Sequence, residues 1–419
     1  MPQDVIVLGA GIVGLSIALH LRRRGVDVVV VDRHGPGGGA SFGNGGLIQR
    51  EAVFPYRFPR AVRELSRIAR NRSIDAVYHP LALPGLASPL LRYWWHAHPK
   101  RYAHAADVQA RMVLTCLDEH LDLARDADAE GLLRPLGWMR VYRAAADLEL
   151  AVVQAEQAHR EYQVNFAVLD GDGLARAEPH LLERRAGALH WTDPLSLSDP
   201  HALLLAYAQR LESLGGRVLT GDAEALVRNG AGWRLPTSAG PVDAATVVVA
   251  LGAASTRLTR RFGYAPPLFG KRGYHVHYAM RGNAVLNRPI LDCDRGFLLS
   301  PMRNGVRLTT GAEFARDGAA PTPVQLERAE PVARASLPLG ERVESEPWMG
   351  VRPCMPDMVP VIGPAPGQAN LWCAFGHAHQ GMTLGPSTGR LLAEMMTGEK
   401  PFLDPAPYRP DRFRSRGVH

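Results

Sequence analysis

The sequence predicts an α/β fold: a discontinuous Rossmann-like domain interrupted by an α+β domain built on an antiparallel sheet. Three observations predict it. The first fifty residues read strand, glycine turn, helix, strand. Far downstream the apolar run "ATVVVALGAAS" opens into glycine, and residues 263–344 read as alternating strands. On this reading segments 1–50, 196–262 and 345–419 form the Rossmann-like domain, and segments 51–195 and 263–344 form the other.

In "DVIVLGAGIVGLSIALHLRRRGVDVVVVDR", Val5 to Leu8 is the apolar run expected of a strand buried on both faces. Gly9, Gly11 and Gly14 spell G-x-G-x-x-G: the first allows a tight turn, the second lets the backbone approach a pyrophosphate, and the third lets the helix lie close to the sheet. Ile12 and Val13 open that helix, and Ile12, Leu15, Ala18, Leu19 and Leu21 keep an apolar face at helical spacing. Gly25 stops it. The second strand ends at Asp32, followed by Arg33, where an acid can accept hydrogen bonds from a ribose 2′-hydroxyl and would repel a phosphate there. Both FAD and NAD fit this fingerprint. The next loop, "HGPGGGASFGNGGLIQ", offers Ser41 and Asn44 as polar side chains and Gly45, Gly46 and Leu47 for close backbone approach. Such a loop suits a long cofactor that continues past its pyrophosphate.

The domain resumes with "DPHALLLAYAQRLESLGGRVLTG", capped by Asp199 and stopped at Gly215 and Gly216. "AEALVRN", "GWRLPT" and "ATVVVALGAAS" read as strands, the last reaching Gly252 at the carboxyl edge where open α/β sheets hold ligands. Within the insertion, "LTCLDEHLDLARDADAEGL" and "DLELAVVQAEQAHREY" read as helices. Tyr93, Trp94 and Trp95 read as core aromatics, with a membrane-surface or partner patch as the alternative. "YHVHYAM", "GFLLSPM" and "GVRLTTGAEF" supply the antiparallel sheet over a substrate cavity.

The net charge is +7, and Arg57, Arg60, Arg63, Arg67, Arg70, Arg72, Arg92, Lys100 and Arg101 face only Glu64 and Asp75 in one stretch. No nucleic-acid motif accompanies them, so nucleic acid is not expected as a partner. The basic 51–105 region instead offers a peripheral contact with a membrane. Neither a removable leader nor a run of ~20 apolar residues is visible, which predicts a cytoplasmic protein, in peripheral contact with the inner membrane if that basic region docks there. Cys116, Cys293, Cys354 and Cys373 lack metal-ligand spacing, and His96 and His98 would diverge on a helix, so no metal site is expected.

Two late segments carry chemistry. In "WMGVRPCMPDMVPVIGP", Arg352 sits among apolar residues and needs an anion, either a ligand carboxylate held by its planar fork or an internal Asp or Glu. In "FGHAHQGMTLGPSTGRLLAEMMTG", Gly376, Gly381 and Gly385 leave amides unobstructed, and a helix starting at Thr383 has free N–H groups in its first turn and positive dipole character. This is a place for a developing anion such as that of a reduced flavin. His377 and His379 can add polar contacts at that edge or simply pack.

The motifs "GAGIVG" with Asp32, "SFGNGG", "ALGAAS", "WMGVRPCMPDMVPVIG" and "GHAHQGMT" together resemble the FAD-dependent D-amino acid oxidase/dehydrogenase superfamily over essentially the whole chain. The long insertion is most similar to the bacterial D-amino acid dehydrogenase branch, including D-hydroxyproline dehydrogenase-like proteins. The resemblance implies extended, noncovalent FAD: Gly9, Gly11 and Gly14 at the pyrophosphate, Asp32 on the ribose and Ala223 near adenine. Ser41, Asn44, Gly45 and Gly46 would approach the isoalloxazine, with Gly376, His377, Gly381, Met382 and Thr383 at its pyrimidine edge. Some relatives bind FAD covalently through a cysteine whose position here is Gly350, not Cys354.

It also implies that Arg352 holds the carboxylate of a small amino acid, helped by Tyr274, while His379 or His275 tunes its protonation. The substrate would be a D-amino acid or a cyclic imino acid such as D-proline or hydroxyproline, giving an imino acid and passing electrons to a quinone, a dye-like carrier or oxygen. Three alternatives stay open: a sarcosine-like secondary-amine oxidase, a flavin-binding subunit of a heteromeric dehydrogenase, and a flavin-free NAD(P) dehydrogenase.

Overall fold

A computed structural model describes residues 3–413. Valine runs build its first sheet, because β-branched side chains suit strands covered on both faces. Val28–Asp32, Gln3–Leu8 and Gly240–Val249 lie side by side in parallel, flanked by Arg217–Thr220, Gly232–Thr237 and Val227–Asn229. Leu371–Phe375 also pairs in parallel with Gly240–Val249, so the far end of the chain closes onto the nucleotide fingerprint. The stretch "AEALVRN", expected as one strand, splits into a short 3-10 turn at Ala223–Ala225 and the strand Val227–Asn229.

The first helix, Ile12–Arg23, packs along the last long one, Gly381–Thr397. Glycine permits the approach: a Cβ at Gly385 would stand 2.7 Å from Ile12 Cγ1, and one at Gly389 would stand 2.7 Å from the Ser16 carbonyl carbon. Since Ile12 lies level with Gly385 and Ser16 with Gly389, the two helices run parallel. Both N-termini, with their free amides and positive dipole ends, therefore face the same side of the molecule. The last helix begins at Gly381, two residues ahead of the expected Thr383.

The second sheet has eleven strands and draws on more of the chain than residues 263–344. Its central strand, Phe269–Met280, pairs antiparallel with Gly305–Thr309 and with Trp348–Cys354. Trp138–Tyr142, Phe166–Asp170 and Gly187–Trp191 extend it from within the insertion. The segment starting at residue 345 was expected in the other domain, but Trp348–Cys354 belongs to this sheet, so the chain crosses between sheets after Cys354.

Strand alternation gives this sheet two unlike faces. Tyr274, Val276 and Tyr278 point into a core with Leu299, Leu308 and, from the helix Val324–Ser336, Leu326 and Ala329. Lys271, Gly273, His275 and His277 occupy the opposite face. Their cross-strand partners are Arg352, Gly350 and Trp348 on one side, and Thr309 and Arg307 on the other. That polar face looks toward the glycine loop and the start of the last helix.

Of the aromatic triplet, only Tyr93 is core. Trp94 and Trp95 are 39% and 54% exposed, with the Arg60 and Arg101 guanidinium groups stacked over their rings at 4.4 and 3.9 Å.

Candidate active site

The glycine turn is fixed by crowding. Gly9 has φ +106°, and a Cβ there would meet the Ala250 carbonyl oxygen at 2.5 Å; at Gly14 it would meet Gly9 O at 1.9 Å. Asp32 braces this turn, accepting from the Ala10 amide (2.9 Å) and the His34 amide (2.7 Å). The first-turn amides divide. Ile12 N–H donates to Ser41 Oγ (3.1 Å), so Ile12 and Ser41 satisfy each other, while Val13 and Gly14 keep amides with no intrahelical partner. At the rim, Arg33 pairs with Asp222 at 2.8 Å, and Asp222 caps the turn carrying Ala223. Gly252, with φ +56°, faces open space.

The loop after the second strand is latched to the large sheet. Arg307 donates to the carbonyls of Phe42 and Asn44, and Ser300 Oγ donates to Gly45 O at 2.7 Å. Arg307 is aimed by His277, whose Nε2 accepts from Arg307 Nε (3.0 Å), leaving Nδ1–H to donate to Glu344. Asn44 closes the turn by accepting from the amides of Gly46 and Leu47. At the facing helix start, Thr383 Oγ1 accepts from the Gln49 amide (3.1 Å), and the Met382 carbonyl accepts from His120 Nε2 (2.7 Å).

The two histidines of "GHAHQ" differ. His377 is buried, and its Nε2 meets Thr388 Oγ1 at 2.9 Å, so its side chain is committed to the last helix and is not free for the ring edge expected of it. His379 packs edge-on to Tyr56 at 4.3 Å, and its Nε2 has no partner. Burial first, then the charges of Arg352 and Lys271, push its pKa down to about 3, so the ring is neutral.

Arg352 is half-buried. Its guanidinium donates to backbone carbonyls alone, Gly311 O at 2.7 Å, Thr310 O at 3.2 Å and Arg272 O at 3.4 Å, and among the described residues it has no carboxylate partner. Of the two roles open to it, the internal salt bridge is excluded. Burial lowers its pKa, so the charged form gains from an incoming anion. Tyr274, expected beside it, lies on the other face of its strand. Its hydroxyl donates to Glu313 Oε2 (2.6 Å) and accepts from the Thr322 amide, so it is committed away from Arg352 and does not help it as expected.

Several residues of the site escaped the sequence reading. Lys271 lines a cavity with Tyr56, Tyr93, Cys354 and His379. Glu51 accepts from Gln49 Nε2 (2.8 Å) and Trp138 Nε1 (2.9 Å), and burial raises its pKa to about 7. Arg140 lies on the polar sheet face, reached from Arg352's strand only through several cross-strand pairs.

Among the buried atoms without partners, those of Arg140, Thr309 and His275 lie in one cross-strand row on the polar face, and those of His379 and Gln380 belong to residues lining the cavity with Lys271. Arg140 Nε, Thr309 Oγ1, His275 Nδ1, His379 Nε2, Gln380 Oε1 and one Glu51 oxygen lack partners. Buried polar atoms are normally paired, so unpaired atoms on the polar sheet face and at the start of the last helix fit a flat polar ring with a small acid beside it. No group of His, Cys, Asp and Glu among the described residues could hold a metal.

A parallel sheet with a glycine turn, set with a polar antiparallel sheet that carries a guanidinium lacking an acid, fits an oxidoreductase of the flavin-dependent kind. Residues 4–395 match the DAO family, FAD dependent oxidoreductase, and the chain belongs to it. The D-amino-acid oxidase of Bradyrhizobium diazoefficiens is 29% identical over 99% of this chain and 100% of its own. D-amino acid dehydrogenase 2 of Mesorhizobium japonicum is 29% identical over 96% of this chain and 98% of its own. Glycine oxidase from Geobacillus kaustophilus shares the fold with a TM-score of 0.74 at 20% identity, covering 100% of both chains. The chain is an FAD-dependent enzyme that oxidises amino acids.

Proposed function

We propose that the enzyme oxidises D-amino acids, primary or cyclic, at the Cα–N bond, with Arg352 holding the α-carboxylate. The observation that carries this is a half-buried guanidinium anchored by three carbonyls and by no acid. Anchoring fixes the fork before the ligand arrives, and a carboxylate then adds two charge-assisted hydrogen bonds. Neutral His379, beside Arg352, offers its unpartnered Nε2 as a hydrogen-bond acceptor to the substrate amine and, staying neutral, adds no third positive charge. Tyr56, against His379, closes that side. Bound FAD supplies the two-electron acceptor for the Cα–H bond; the amine proton leaves, and the product is an imino acid that water hydrolyses. Val13, Gly14 and the start of the last helix would hold its phosphates and ring edge, and Asp32 its ribose.

Noncovalent binding is supported at Gly350, where no nucleophile stands, and at Cys354, whose buried Sγ faces the Arg352 carbonyl at 3.6 Å. Acid precipitation should leave all the yellow colour in the supernatant. For the reaction, Arg352→Met should lower kcat/KM for D-amino acids at least about 100-fold with FAD content unchanged. Equal turnover by this variant, or exclusive turnover of sarcosine by the parent, would reject the assignment.

The same reading gives the 51–105 region a role at an anionic membrane, where reduced enzyme could meet a quinone. The helix Val62–Ala69 buries none of its residues, and Leu91, Trp94 and Trp95 are exposed on one face of the next helix beneath arginines. No described helix is long and apolar enough to cross a bilayer. Sedimentation with anionic vesicles should be lost on W94A/W95A and weakened by salt; equal sedimentation of variant and parent would reject the contact.

A further inference from the structure

Lys271 and Arg352 are direct cross-strand partners on the polar face of the large sheet. Like charges directly opposite one another destabilise a strand pair, so such a placement calls for compensation. Neither side chain has a carboxylate partner among the described residues; burial lowers the pKa of both, so each charged form gains from an incoming anion. Arg352 turns along the strand over Gly273, where a Cβ would stand 2.5 Å from its Nη2, and bonds to carbonyls. Lys271 turns the other way into aromatic rings. Its ammonium lies 4.4 Å from the Tyr93 centroid, 5.7 Å from Phe269 and 5.8 Å from Phe314, and donates to the Tyr93 hydroxyl at 3.4 Å. An aromatic cage stabilises a cation without neutralising it. Cys354, which lines the same cavity, has its pKa raised by burial and so is a neutral thiol. Lys271 lines the cavity that His379 also lines, and the charges of Lys271 and of its cross-strand partner Arg352 both act on His379, so two cations flank one ring and a monocarboxylate answers only one of them.

We propose that Lys271 is a specificity residue that binds a second anionic group on the substrate, so that the preferred substrates are acidic amino acids with carboxylates at both ends, of the D-aspartate and D-glutamate class. This rests on the reading that Arg352 takes the α-carboxylate. The second carboxylate extends away from the Arg352 fork toward the Tyr93 hydroxyl and the Lys271 ammonium. That end of the cavity is bounded by His379 and Cys354 and offers an acidic side chain no repelling charge.

Two measurements on the holoenzyme test it. In turnover, the parent should prefer D-glutamate over the isosteric D-glutamine, and Lys271→Met should reduce that ratio of kcat/KM about 100-fold, the size of a lost charge-assisted contact. Lys271→Arg, which keeps the charge, should restore part of it. A parent that prefers D-glutamine, or a Lys271→Met variant with an unchanged ratio, would overturn the proposal and mark Lys271 as structural. In binding, followed by perturbation of the visible flavin band, glutarate should bind the parent more tightly than butyrate, and Lys271→Met should remove the difference. This second readout needs no turnover. If no D-amino acid is oxidised yet glutarate retains its Lys271-dependent advantage, the enantiomer assignment fails and the two-cation site stands; equal binding of glutarate and butyrate by the parent overturns the site itself.

Discussion

Lys271 and Tyr274 stand three residues apart in "FGKRGYHVHY" and face opposite ways, and their alternation was already legible. Lys271, Gly273, His275 and His277 fall on one face at period two, and Arg272, Tyr274, Val276 and Tyr278 on the other. Read that way, the apolar members with Tyr274 belong to the core, where its hydroxyl meets Glu313. What the sequence could not reveal was the register that sets Lys271 opposite Arg352, because pairing between strands so far apart in the chain leaves no local mark. Gly273 is the residue on which that geometry turns. A methyl there would press on the Arg352 guanidinium at 2.5 Å, and displacement of a carboxylate clamp by about 1 Å costs roughly 100-fold in rate. Gly273→Ala should therefore cut kcat/KM by about that factor while the flavin spectrum and FAD content stay as in the parent. A variant with full activity would show that the guanidinium has room to move and is not held in place by its strand.

At the scale of elements, the start of the last helix contains a defect that another helix repairs. Pro386 has no N–H to give the Met382 carbonyl, the bond a helix would otherwise make there. His120, fully buried in the helix Cys116–Asp126, donates its Nε2–H to that carbonyl instead, and burial lowers its pKa to about 4 so that the neutral ring persists. The proline was visible in "TLGPSTGR", but the donor to the Met382 carbonyl lies 262 residues from Met382 and only the fold joins them. His120→Ala should destabilise the enzyme by about 3 kcal/mol, combining a cavity with an unsatisfied carbonyl. Pro386→Ala in that background restores an amide, so the double variant should recover about 1 kcal/mol relative to the sum of the two single changes. Urea unfolding of the four proteins measures the cycle, and strict additivity would show that the two groups do not interact.

Across the whole molecule, the glycine fingerprint, the acid after the second strand, the late arginine and the presence of the last helix, though not its start at Gly381, were legible because each is a local pattern. Their assembly was not, because it comes from side chains that reach between sheets, as Arg307 and Ser300 reach the glycine loop. Bringing two sheets and two parallel helices together this tightly also buries histidines. His20, His120 and His377 lie away from the substrate cavity face or are bonded within it, and burial lowers their pKa values to about 3, 4 and 4. The sign follows from proton counting. Below pH ~6.5 the unfolded chain takes up protons at these rings while the folded chain does not until near pH 4, so the unfolded state binds more and stability is lost as the pH is lowered. Three rings together give a slope approaching about 4 kcal/mol per pH unit in that window. Glu51 and Glu178 oppose them, since pKa values raised to about 7 and about 6 make the folded state the better proton binder above pH 4.5, but the buried His275 and His379, lowered to about 2 and about 3, offset those two. The holoenzyme should therefore hold a constant urea midpoint above pH 7 and lose it steeply between pH 6.5 and 5. Replacing His20 with Gln should flatten that loss by about a third, whereas a midpoint that stays level down to pH 5 would mean that these rings are reached by water and protonate in the folded enzyme.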